Sequence, residues 1–331
     1  MMKYWWLAVL LSVGVAQAKP RILLSGDMPG KSFRGPLPAA TAAQSKLALG
    51  LRADVTYLAV EIGERNSRRY AQLQKARDWV RDQLQLAGYK VRSQTYKIED
   101  REYTNLECDL VGLTPEVVMV GAHYDSAINC PAANDNGTGV ASLLALARQL
   151  KKRAQKPRKT LRLVAFVNEE PPNFARPTMG SQVYARFCRK RGDKIVSMLS
   201  LETMGYYSDQ PGSQKYPLPL SLSYPSTGNF IAFVGDLESG PLVSYCVGAF
   251  RKHASFPSEG AALSGALEGV GWSDHASFWD IGVPAVMVTD TAPFRYAHYH
   301  LASDTPDKVD FGRLARVVDG LERVIWDLVS L

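Results

Sequence analysis

EVVMVGAHYDSAINCPAANDNGTGVASLLALARQLKKRAQKPRKTLRLVAFVN, residues 116–168, contains three segments whose order decides the fold. EVVMVGA and KTLRLVAFVN are continuous apolar runs of strand length, and GTGVASLLALARQLKKR between them reads as a helix. Continuous runs, as opposed to alternating ones, mark strands buried on both faces, and strands alternating with helices mark a mostly parallel sheet. The alternation continues downstream. A helix over 180–191 is followed by the strand KIVSMLSLE, then FIAFVG, a helix around 240–253, the strand VPAVMVTD and the amphipathic helix FGRLARVVDGLERVIWDLV. Upstream, Leu73, Ala76, Val80, Leu84 and Ala87 recur at helical spacing, which predicts a helix over Ser67–Ala87 with Gly88 at its C-cap. Extended segments are expected at 89–97, 105–112 and 116–122. The expected class is α/β, with a mixed, mostly parallel central sheet and helices on both faces.

The rest of the chain sets limits on its surroundings. Met1–Lys3 form a positive start, Tyr4–Val15 an apolar run too short to span a membrane comfortably, and Ala16-Gln17-Ala18 a small–x–small cleavage pattern. Residues 1–18 are therefore expected to be a signal peptide cut near Ala18, leaving an exported protein in the periplasm or outside the cell. Residues 19–45, rich in Pro, Gly, Ser and Ala, are expected to be an irregular lead-in. Residues 46–331 should form a single catalytic domain, with a long excursion near 206–228. No later run reaches the length of a membrane span. The net charge of +7 is dispersed along the 331 residues, and KKRAQKPRK at 151–159 lacks interleaved aromatics, so nucleic acid is not an expected partner. Cys108, Cys130, Cys188 and Cys246 are widely spaced, which leads us to expect one disulfide or none.

Ligands of such sheets bind beyond the carboxyl ends of the strands. His123, Tyr124 and Asp125 follow EVVMVGA, and Asp135 stands just before the next helix. LRLVAFVN ends in Glu169-Glu170, KIVSMLSL ends in Glu202, and His298 and His300 lie beyond VPAVMVTD. Imidazoles with carboxylates and no thiolates form the ligand set of a hydrolytic zinc site, not of a structural one. Two ions would need a bridging carboxylate, with a His and a terminal carboxylate for each ion, and a further carboxylate kept free to take a proton from water. Adjacent glutamates at a strand end splay apart, so one can bind metal while the other faces the water.

The motifs GAHYDS, ANDNGTGVA, VAFVNEE, LSLETMGY, GWSDHASFW and YHLASDTPDK, in this order, resemble the co-catalytic zinc exopeptidases. That family comprises bacterial leucine-type aminopeptidases, glutamate carboxypeptidase, glutaminyl cyclase and the transferrin-receptor ectodomain. The resemblance runs from about residue 50 to the end and implies the zinc-exopeptidase, phosphorylase/hydrolase-like fold. It implies zinc, with two ions expected and one possible, held by His123, Asp135 as the bridge, Glu170, Glu202 and His300. Glu169 would be the general base and Tyr299 a donor to the developing oxyanion. Asp125 and Asp274 would stand behind the ligands, with His275 beside Asp274. Glu202 departs from the aspartate found in many relatives. The implied activity is aminopeptidase action on peptides with a free N-terminus. Cyclisation of N-terminal Gln, carboxypeptidase action and a non-catalytic binding module are the rivals.

Overall fold

The computed structural model describes residues 21–217 and 220–331, so the expected signal peptide lies outside the described residues. Eight strands form one sheet: β1 (Arg92–Ile98), β2 (Arg101–Leu110), β3 (Glu116–His123), β4 (Thr160–Phe166), β5 (Lys194–Glu202), β6 (Ile231–Asp236), β7 (Ser258–Leu263) and β8 (Ala285–Thr289). Their spatial order is β1-β2-β4-β3-β5-β8-β6-β7. The centre, β4-β3-β5-β8, is parallel throughout, and β6-β7 is parallel too. The pairs β1-β2, β2-β4 and β6-β8 are antiparallel. The expected α/β class with a mixed, mostly parallel sheet is what the chain forms.

Strand alternation divides the core in two. Val118 and Val120 of β3, Leu161 and Leu163 of β4, and Leu199 and Leu201 of β5 join the larger cluster. There they meet α1 (Ala42–Thr56), α2 (Tyr70–Leu86), α3 (Gly139–Leu150), α5 (Gly240–His253) and α7 (Phe311–Ser330). Met119, Val164, Phe166 and Met198, one residue out of phase, pack on the opposite face under α4 (Gly180–Arg191) and the short α6 (Ala276–Trp279). These helices cover only part of that second face. Beyond Ala285 of β8, on which α6 packs, described residues of the excursion near 206–228 and of the loop 264–275 lie over β8, β6 and β7.

Helix α1, the short α6 and strand β7 were not foreseen. Helix α1 has weak apolar periodicity and carries Gly50 inside it, but Thr41 and Gln44 close a reciprocal cap at its start. Strand β7, SEGAAL, contains no β-branched or aromatic residue. It is made a strand by pairing with β6 and by the lead-in, where Leu23 exchanges both backbone hydrogen bonds with Ala262. All four cysteines are buried and free, as the expectation of one bridge or none allowed. Among the described residues, no helix is long and apolar enough to cross a membrane.

Candidate metal centre

The register places the functional side chains. His123 is the last residue of β3 and Glu202 the last of β5, and both share the parity of Met119 and Met198, so they rise from the same face. Asp135 sits in the loop that enters α3. Gly139 begins that helix, and a Cβ there would collide with Asn136 and with the carbonyl of Leu201. Glycine therefore lets the Asp135 loop press against the end of β5. Asn168, which precedes Glu169, and His300 itself adopt left-handed backbone (φ 59° and 58°), a conformation held only where surrounding contacts over-determine it.

These side chains converge. His123 Nε2 lies 3.5 Å from Asp135 Oδ1 and 3.2 Å from Glu202 Oε2. His300 Nε2 lies 2.9 Å from Asp135 Oδ2 and 3.2 Å from Glu170 Oε2. Asp135 thus turns one oxygen to each imidazole. Glu169 approaches His123 at 3.8 Å and stands in neither close set. Asp135, Glu169, Glu170, Glu202, Tyr299 and His300, with Trp272, line one open cavity of about 630 Å³.

The donors fit a divalent cation. Both ring nitrogens of His123 and Glu170 Oε1 are buried without a hydrogen-bond partner, which is costly unless something else occupies them. His123, Asp135 and Glu170 each offer a ligand atom within 4.8 Å of one another, although the closest approaches pair Glu170 with His300, not with His123. Carboxylates crowded this closely and out of water cannot all stay ionised without positive charge between them. Burial raises Glu169 well above the usual carboxyl range, against the pull of His123 and with added push from Glu202 and Glu170. Burial, followed by repulsion from Asp135, lifts Glu170 to about 7. For Asp135 burial works upward too, but the facing His123 and His300 outweigh it and hold the carboxyl well below the usual range.

The surrounding shell is partly as expected. Asp125 lies 3.5 Å from His123 Nδ1, and its two oxygens accept the backbone N–H groups of Glu169 and Glu170 at 3.1 Å each. Asp274 is buried nearby, but neither of its oxygens bonds a ligand residue. The bond to Glu202 comes instead from its neighbour, Ser273 Oγ, at 2.8 Å. Tyr299 stacks on the His300 ring with centroids 3.9 Å apart. Burial, with the carboxylates around it, keeps its phenol protonated. His298 does not join the site and bonds Ser303. His275 bonds the Val270 carbonyl, and burial lowers it to about 4.

Two supports escaped sequence reasoning. Asp304 accepts the backbone N–H groups of Asn134 and Asp135 and the hydroxyl of Tyr296, which fixes the bridging loop. Arg65 is fully buried and donates to the carbonyls of Leu58, Gly63, Tyr124, Pro131 and Ala132, tying the segment after His123 to the one before Asp135. Asp304 lies within a motif already singled out. An arginine in EIGERNSRR reads as surface, and no local signal separates it from its neighbours.

The profile of peptidase family M28 matches residues 105–325. Among curated proteins, the chain is 34% identical over 286 residues to YfbL of Escherichia coli (strain K12), covering 84% of this chain and 87% of that one. It is 26% identical over 254 residues to a probable leucine aminopeptidase of Trichophyton verrucosum, covering 72% of this chain and 61% of that protein. In fold it is similar to the zinc aminopeptidase BSAP of Bacillus subtilis, at TM-score 0.67 and 15% identity over 89% of this chain and 97% of that one. It is also similar to the glutaminyl cyclase of Porphyromonas gingivalis, at TM-score 0.65 and 19% identity over 85% and 98%.

Proposed function

The chain belongs to peptidase family M28 and is a hydrolase of the metallo-exopeptidase class, and from that premise we propose that it is an exported zinc-dependent aminopeptidase acting on peptides with a free N-terminus. The observation that carries the proposal is Asp135, with one oxygen toward His123 and the other toward His300. In this reading His123, Glu202 and Asp135 would hold one zinc, and His300, Glu170 and Asp135 a second. Bound zinc would polarise the scissile carbonyl and acidify a water. Glu169, held off the ligand sets, takes a proton from the attacking water and returns it to the leaving amine. Tyr299, kept protonated, donates a hydrogen bond to the carbonyl oxygen as charge builds there. Asp125 aims both His123 and the Glu169-Glu170 backbone. The aminopeptidase name of the Trichophyton relative supports hydrolysis, and the leader read from residues 1–18 supports export to the periplasm or beyond.

A second reading is glutaminyl-peptide cyclisation. It draws on the tight set of His300, Asp135 and Glu170, which could hold a single ion without His123. One experiment separates the two. A Leu-terminated peptide, its N-acetylated twin and a Gln-terminated peptide are incubated with the purified protein, with and without chelator, and read by mass spectrometry. Chelator-sensitive loss of Leu, sparing the twin, is expected. Loss of ammonia from the Gln peptide alone would identify a cyclase.

A further inference from the structure

A second cavity, of about 790 Å³, opens beside the metal centre and shares Glu202, Trp272 and Tyr299 with it. It lies over the part of that sheet face beyond α6, on β8, β6 and β7. Its floor follows one register row, because Glu202 pairs with Thr289, Thr289 with Ala232, and Ala232 with Glu259. All four line the cavity. Three inter-strand steps of about 4.8 Å set Glu259 roughly 14 Å across the sheet from Glu202. The cavity is therefore a trough running from the metal centre to a carboxylate.

Its walls are apolar and aromatic: Tyr216, Tyr224, Phe230, Trp272 and Phe294. Its only charged lining residues, among the described residues, are Glu202, Glu259 and Glu268. Glu259 is buried, and Ser25 Oγ donates to its Oε2. The nearest guanidinium, Arg251, approaches only to 3.9 Å and gives its hydrogen bonds to Ser258 and to the carbonyls of Met28, Pro29 and Gly30. No cation lines the trough among the described residues, and the charge of Glu259 at its end is met from behind by Arg251 at 3.9 Å and, more remotely, by Arg34. Aromatic faces attract cations, and a buried acceptor without a full ion pair favours one further still.

We propose that Glu259 makes this trough select N-terminal residues with a long apolar stem and a cationic tip, Lys or Arg. The inference rests on the aminopeptidase reading and names its substrate class. A lysine presents a four-carbon stem to the aromatic walls and its ammonium to Glu259, with Glu268 at the rim. A norleucine fills the same volume and leaves the carboxylate with only Ser25 and the looser Arg251.

The test compares kcat/KM on two peptides that differ only in N-terminal Lys or norleucine, using the mature protein and its Glu259→Gln and Glu268→Gln variants. The expected Lys/norleucine ratio is about tenfold in the parent, close to one in Glu259→Gln, and intermediate in Glu268→Gln. Norleucine turnover in each variant reports that the fold and the metal centre are intact. Glu268 is exposed, so its replacement does not threaten folding. A parent ratio at or below one, or a ratio unchanged by Glu259→Gln, would overturn the inference and leave the aminopeptidase reading standing. Cleavage of neither peptide would overturn both.

Discussion

Asp125 holds the two sides of the centre in register, because one carboxylate faces His123 and also accepts from the backbones of Glu169 and Glu170. Asn at this position would keep one acceptor and turn an amide N–H₂ against a backbone donor. Asp125→Asn should therefore weaken zinc binding by about 10–100-fold, measured by competition with a chromogenic chelator. An unchanged affinity would mean that His123 is oriented by something else. The pairing of Asp125 with His123 was legible through the family resemblance, with only Tyr124 between them at a strand end. Its bonds to the Glu169 and Glu170 amides were not, because a hydrogen bond across two strand ends has no sequence spacing. Glu202 shows the same limit. Its longer arm than the usual aspartate was visible, but the Ser273 hydroxyl that steadies it belongs to a loop far along the chain.

At the scale of elements, buried parallel strands announce themselves as unbroken apolar runs, and β3, β4, β5 and β8 were read close to their true bounds. Strand β7 carries no such signal because pairing, not propensity, makes it extended. Its outer edge is covered by the lead-in, through Leu23 and the Ser32 hydroxyl that accepts from Ser258 N. An uncovered edge is a liability for association. Leu23→Pro removes the donor to Ala262 and the packing of the leucine, and should cost about 2–4 kcal/mol in urea unfolding. Unchanged stability would show that the lead-in does not hold the edge in solution. Because Ser25 of the same segment bonds Glu259, this variant should also blunt any Lys preference.

Across the whole molecule, the polar centre opposes folding when no cation is bound. Asp290, buried beneath the bridging loop, accepts from Asn134 and from the Tyr206 backbone, and burial raises it to about 7 against the weaker pull of Arg295. A carboxyl raised in the folded state holds its proton there while the unfolded chain has already lost it. The contribution of Asp290 to the stability of the metal-free protein should therefore fall as pH rises from about 4 to about 7 and level off above that. Asp290→Asn should flatten part of that slope, as read from urea midpoints at several pH values. An identical slope would place the proton uptake elsewhere in the cluster.

Glu169 and Glu170 divide proton transfer and metal binding between them, and a paired assay of zinc content and turnover on Glu169→Gln tests this division most directly. Metal at the parent's stoichiometry and a rate lower by about 10²–10⁴-fold are expected, because only the proton acceptor is lost. Near-normal turnover, or loss of zinc along with activity, would contradict it.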